Sequence, residues 1–470
     1  MPDTGKGLET LDQVAQAELQ AVDAPGAALA VVRGEDVLFA KGLGVSSSET
    51  REPVTPDTLF RIGSLTKVVT AYTLISLVLE QHLSVHAPIA QYVPDLPLPL
   101  GSVTIHQLLS HTSGLKDDDS DYGPHDEEAL GSAVRRYDGR HFFTRPGRVF
   151  SYSGLGYAVA GVVIEALGQR SFTKAVVERV LGPLRMTRST FLPTQAMTHA
   201  FSQGHTASGT RGRWSVVRPY DDNATRWPAG FLFSSVTELA RFCVAFMNDG
   251  RIDGDQVLDP EVISALAQPY ARPLDAFEGQ RYGYGLNLGE YRGMRTLEHG
   301  GGRRGFCSYL QMFPEQEFAF IQLVNRRNAL LKKTQEAAIE QVLRPDAPPP
   351  PAANSSDGLA PSETELEALV GRYDFPDINA PRGNITVYAE GGKLRLRFDD
   401  WMTLYLGLEG RDFLVKKTTN AGSRFSILLN PESSPIELAF QKLDEQEDYL
   451  CALSRAFKRA SWEEHLPAAI

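Results

Sequence analysis

Residues 60–69 read FRIGSLTKVV, and an apolar run continues to about Leu83. A small-residue turn hands over to a stretch that is apolar nearly all round, which predicts a buried helix from Ser64 onward. Ser64 and Lys67 are three residues apart on that helix and so face the same way. One reading makes Ser64 a helix cap and Lys67 a surface charge. The other carries Lys67 into the interior, where loss of hydration disfavours the ammonium and leaves an amine able to take a proton from Ser64. A free lysine titrates near about 10.4, so a competent base near neutral pH costs roughly 4 kcal/mol. Two further S-x-x-K pairs, Ser113–Lys116 and Ser171–Lys174, lie in a glycine-containing loop and at the start of an amphipathic helix. There the serine is most simply a turn or cap residue.

Outward from this helix the element types are mixed. GAALAVVRGEDVLFAKGLG (26–44) predicts two strands around the turn Gly34-Glu35-Asp36. SFTKAVVERVL and TELARFCVAFMN predict helices, and FCSYLQMF and FAFIQLVN predict late, nearly continuous apolar strands. Strands at both ends with helices between predict an α+β unit, an antiparallel sheet completed by distant segments and flanked by helices.

DAPPPPAANSSDGLAPSE (346–363) has almost nothing to bury and predicts an extended Pro/Ser-rich linker. It separates residues 1–345 from 364–470, a two-domain division that suits a chain of 470 residues. Beyond it, NITVYAEGGKLRLRF alternates around Gly391-Gly392 as a hairpin does, and short strands follow to YLCALSRAF. These predict a small all-β antiparallel barrel or sandwich.

Hydrophobic and charged fractions of 42% and 22% are those of an ordinary soluble domain protein. The net charge of −11 and the absence of a Lys/Arg stripe argue against nucleic acid and anionic membranes as partners. No run approaches the ~20 apolar residues of a membrane helix. The polar N-terminus reads as an amphipathic helix without the pattern of a signal peptide, which fits a cytoplasmic setting. Cys243, Cys307 and Cys451 are widely spaced and predict buried free thiols.

Two further stretches carry chemistry. In RPGRVFSYSGLGYAVAG (145–161), Tyr152 precedes Ser153-Gly154 and an apolar helix; a lone tyrosine there is most simply a packing aromatic. In LEHGGGRRGFCSYL (297–310), three glycines after His299 allow close backbone approach, and their N–H groups could face an oxyanion.

S-x-x-K, then Y-x-x, then H-x-G in this order resemble the serine β-lactamase and penicillin-binding-protein-like superfamily, most closely its class C β-lactamase and S12 peptidase/esterase branch. TIHQLLSHTSGL (104–115), PLRMTRST (183–190) and PAGFLFSSVTELARF (228–242) support the resemblance, which spans about residues 10–330. It implies a β-lactamase-like sheet with a helical subdomain. It also implies a serine hydrolase with Ser64 as nucleophile and Lys67 and Tyr152 sharing base and acid work, their division left open. The N–H groups of Ser64 and Gly302 would form the oxyanion hole, and His299 would hydrogen-bond near Tyr152 and the substrate. Gly154, Gly300 and Gly301 would line the substrate, with no metal or organic cofactor required.

Gly154 stands where many relatives carry asparagine, and His299 where many carry lysine. Both departures favour small esters, or amides and peptides with a free N-terminus, over β-lactams, and peptides containing D-amino acids are among the expected substrates. The alternatives are a β-lactamase or D-Ala-D-Ala carboxypeptidase, and a non-catalytic sensor that acylates and stalls. The acidic run 117–128 is expected as a solvated loop able to rim the cleft, and residues 201–228 as an insertion walling it. The tail resembles the lipocalin-like barrel found behind the catalytic domain in several S12-type hydrolases, there to cover that domain or to form homo-oligomers.

Overall fold

The computed structural model describes residues 4–118, 120–273, 279–344, 362–374, 376, 384–399, 412–417, 424–427, 436–444, 447–452 and 454–460. Most of the expected linker lies outside the described residues.

The unbroken burial of GAALAVVR explains the first layer. Strand β1 (Gly26–Arg33) turns back into β2 (Asp36–Gly44). Three later strands, β3 (Arg281–Tyr282), β4 (Asn287–Tyr291) and β5 (Met294–Arg303), are followed by β6 (Phe306–Phe313) and β7 (Phe318–Val324). They form one seven-stranded sheet in the order β2-β1-β7-β6-β5-β4-β3, every pairing antiparallel. Residues Ala28, Ala30 and Val32 of β1 face a helical layer, while Ala27, Leu29 and Val31 face the opposite layer. Both faces are dry, which is why the strand reads as a continuous apolar run.

Helices α1 (Thr4–Ala21) and α5 (Lys332–Val342) cover one face. The other face packs on α4 (Val236–Met247) and, behind it, on α2 (Thr66–Glu80) and α3 (Gly154–Gly168). In α2, Val68, Leu74, Ile75, Leu77 and Val78 are all buried, each worth about 1.5–3 kcal/mol relative to exposure. Its inward hydroxyls are satisfied locally, with Thr66 donating to Gly63 O at 2.7 Å and Thr70 to Pro228 O at 2.8 Å. Lys67 is the one charged residue buried in this helix.

The described C-terminal strands close an eight-stranded antiparallel barrel. Its interior is filled by Ile385, Leu396, Phe398, Phe425, Leu450 and Phe457, among others. The last two strands, β14 (Glu447–Ala452) and β15 (Arg455–Arg459), press against the first unit. Val149 and Phe143 form one apolar cluster with Tyr449, Cys451 and Ala456, and Tyr449 Oη bonds Thr144 Oγ1 at 2.8 Å. The fold is thus the expected β-lactamase-like sheet with helices, followed by a barrel rather than a sandwich. All three cysteines are buried, and Cys243 and Cys307 are free thiols. Among the described residues no helix is long and apolar enough to cross a membrane.

One expectation fails in part. Residues 205–216 form a hairpin anchored beside α1, where Trp214 Nε1 donates to Asp23 O at 2.7 Å. Only the later part, from Asp221 on, reaches the cleft.

Candidate active site

Ser64 sits in a single 3₁₀ turn, Gly63–Leu65, at the entry to α2. Its side chain caps nothing and is partly open to a cavity of about 140 Å³. One turn on, Lys67 is 2% exposed. Its Nζ lies 3.1 Å from Ser64 Oγ, donates to Ala229 O at 2.6 Å, and stands 4.7 Å from the centre of the Tyr152 ring. A capping serine with a solvated lysine is therefore not what this turn holds. Ser113 is buried, and Ser171 heads its short helix but bonds Glu127 instead of capping it.

The glycines of β5 make the approach to Ser64 possible. A Cβ on Gly301 would lie 2.1 Å from Ile62 O, and one on Gly63, whose φ is +54°, would lie 2.6 Å from Gly302 N. Ser308 on β6 donates to Ile62 O at 2.7 Å and fixes the turn against the sheet. The Gly302 amide is thus delivered beside the Ser64 turn, and Gly302, Gly154 and Tyr152 line the cavity with Ser64 and Lys67. Gly300 and Gly301 lie within the strand pairing, opposite Tyr309 and Ser308.

His299 is placed differently from expectation. It is 4% exposed, with Nε2 3.3 Å from Tyr282 Oη and Nδ1 2.6 Å from Gly300 O. Tyr282 Oη also lies 3.1 Å from His111 Nε2, and His111 Nδ1 accepts from Ser153 N at 3.1 Å. One assignment of hydrogens satisfies all four contacts. His111 Nε2–H donates to Tyr282, Tyr282 O–H donates to His299 Nε2, and His299 Nδ1–H donates to Gly300 O. Both imidazoles are then neutral. Burial, and next the neighbouring Lys67, lowers His299 to about 4 and takes His111 well below its ordinary value. The Tyr282 phenol has captured the ring nitrogen that was expected to face Tyr152 and substrate, although the His299 and Tyr152 rings remain 6.1 Å apart.

The acidic run is no free rim. Asp118 pairs with Arg226, Asp121 with Arg303 at 2.5 Å, and Asp117 with Arg455 of the barrel. Asp117, Arg226, Arg303 and Arg455 all line the cavity; Arg303 and the acidic run were read from sequence as cleft neighbours, whereas the Arg455 contact and the ion pairs were missed. Of the Asp117–Arg455 contact, only the Asp117 of LKDDD, two residues after a familial loop, carried a local signal. Phe231 forms another wall, held between Arg303 and Arg61 at 4.0 and 4.7 Å from its ring centre. No group of three or more His, Cys, Asp or Glu side chains among the described residues could hold a metal ion. Chemically, the cleft brings together a hydroxyl beside an enclosed amine, the ring of Tyr152 and the backbone of Gly302.

The chain belongs to the Beta-lactamase family, whose model matches residues 11–343, a family of β-lactamase- and penicillin-binding-protein-like serine hydrolases. Penicillin-binding protein 4 of Amycolatopsis lactamdurans is 30% identical over 299 residues, covering 62% of this chain and 78% of that protein. Among solved structures, SurE superposes with a TM-score of 0.73 at 24% identity, over 97% of this chain and 100% of that one. The octameric penicillin-binding protein homologue from Pyrococcus abyssi gives 0.65 at 22%, over 96% and 100%. Both likenesses extend through the barrel and concern the fold.

Proposed function

We propose that this chain is a serine hydrolase of the S12 peptidase/esterase type that forms an acyl-enzyme on Ser64. The observation that carries the reading is the 3.1 Å approach of Lys67 Nζ to Ser64 Oγ inside the protein. The base role requires an uncharged amine, and enclosure is the physical lever that favours one. Ser64 Oγ attacks the acyl carbonyl as its proton passes to the Lys67–Tyr152 pair. The Ser64 and Gly302 N–H groups receive the oxyanion, a donor pair of which each member is typically worth 10²–10³ in rate. The pair then gives the proton to the departing alcohol or amine, and water releases the acyl group by the reverse sequence. His299 acts as a positioning residue, fixing the β5 backbone at Gly300 from outside the cavity.

Small esters and amides, including peptides with D-amino acids, are the substrates we assign. The cavity beside Ser64 is small, and its polar walls are already closed by aspartate–arginine pairs. The hydrolase unit spans residues 1–345 and the barrel 364–470; we assign self-association to the barrel, and the octameric state of the Pyrococcus abyssi homologue supports self-association as such. Fluorophosphonate labelling followed by a panel of an ester, a D-alanyl amide and a cephalosporin tests the assignment. Ser64→Ala should abolish labelling while Ser113→Ala and Ser171→Ala retain it. A cephalosporin turned over faster than the ester and the amide would reverse the substrate assignment, and one stoichiometric burst without turnover would make the protein a sensor.

A further inference from the structure

The turn between β14 and β15 lies against the segment that carries Tyr152. Ser454 O accepts from Tyr152 N at 2.8 Å, and Ala456 N donates to Ser151 Oγ at 3.2 Å. Between those two contacts Arg455 projects into the cleft. Its Nε donates to Asp117 Oδ2 at 3.1 Å, a second guanidinium nitrogen reaches the same oxygen, and its Cζ stands 5.5 Å from the centre of the Tyr152 ring. The other carboxylate oxygen, Asp117 Oδ1, accepts from Gly154 N at 2.6 Å and Asp118 N at 3.0 Å.

Asp117 is 2% exposed, so its charge depends on these donors; a buried carboxylate stripped of its cation is strongly unfavourable. Its position also decides what fits. A Cβ on Gly154 would meet Asp117 Oδ1 at 3.2 Å and Ala229 Cβ at 3.7 Å. The space over Gly154 is therefore taken by the carboxylate that Arg455 holds in place.

We infer that Arg455 is a positioning residue of the active site: the barrel, through Arg455, clamps Asp117 over Gly154, and that clamp sets the size of the acyl group accepted beside Ser64. This rests on the Ser64 acyl-enzyme reading. The barrel is then a working part of the cleft, acting on Tyr152 through the main chain and on Asp117 through a charge-assisted pair.

The test is a double-mutant cycle in the full chain, with Arg455→Met, Asp117→Ala and the pair, and Arg455→Lys as the conservative variant. Fluorophosphonate labelling rates, and kcat and KM for p-nitrophenyl acetate, butyrate and hexanoate, are the readouts. Asp117→Ala should shift kcat/KM at least about tenfold toward the longer acyl chains. Arg455→Met should lower kcat on acetate by up to about 10²-fold, as expected for displaced groups, and change selectivity in the same direction. Adding it to Asp117→Ala should change the rates less than about threefold, and Arg455→Lys should recover wild-type selectivity. Effects of the two substitutions that multiply, or selectivity that neither alters, would overturn the clamp while leaving the Ser64 reading intact. If Arg455→Met does not fold, Arg455→Gln in the wild-type and Asp117→Ala backgrounds gives the same comparison. A wild-type protein that does not label overturns both readings.

Discussion

Gly63 and Gly302 approach so closely that a methyl group on Gly63 would stand 2.6 Å from the Gly302 amide nitrogen. That contact joins the nucleophile turn to the sheet and places the amide of Gly302 beside Ser64. Gly63→Ala should therefore push the two apart and force an L-residue into the left-handed region. Acylation by a fluorophosphonate should slow by about 10²–10³-fold, the usual cost of a lost oxyanion donor, with Ser64 still present and the fold retained by circular dichroism.

Lys67→Met should remove one member of the proposed Lys67–Tyr152 acid–base pair while filling the same space. The expected loss in kcat/KM is at least about 10²–10⁴-fold, the range of a general base. The melting temperature should stay the same or rise, since an enclosed polar group gives way to an apolar one. Pre-steady-state labelling combined with a thermal melt separates these effects.

Acid should weaken the fold through its buried imidazoles. His299 is held near about 4 against an ordinary 6.5, and His111 is displaced in the same direction. Above pH 6.5 neither the folded nor the unfolded chain protonates these rings. As the pH falls from 6.5 toward 4, the unfolded chain takes up protons that the fold refuses, so stability declines by about 1.36 kcal/mol per pH unit for each ring. Urea unfolding at pH 7 and pH 5 should show a drop about 2 kcal/mol smaller in His299→Gln than in the wild type.

Arg61 is 1% exposed and donates to Phe231 O at 2.6 Å and Asp221 O at 2.8 Å. Its guanidinium also lies 4.2 Å from the Phe233 ring centre. Arg61→Ala leaves two carbonyls and Asp222 without this cation, and should cost about 3–5 kcal/mol. It should also raise KM by loosening the Phe231 wall, which denaturant titration and steady-state kinetics read separately.

Much of this was visible along the chain because local periodicity dictates it. The buried helix after Ser64 and the 26–44 hairpin follow from apolar patterns spanning a few turns or one strand pair. The His299–Tyr282–His111 chain did not, because each side chain alone looks like a satisfied aromatic or turn residue. The Asp117–Arg455 pair was beyond reach for a different reason. The partners are 338 residues apart, and no spacing rule links a barrel turn to an acidic loop. Residues 205–216 were misplaced because their Gly/Arg/Trp composition does not reveal which side of the sheet receives Trp214.

The docked hairpin of the barrel also has a temporal consequence. During synthesis the turn bearing Ser64 leaves the ribosome long before Arg455 has been joined to the chain. A nascent polypeptide therefore carries the Ser64 hydroxyl while the Asp117–Arg455 pair is still missing, and the finished cleft appears only once the closing strands of the barrel have paired.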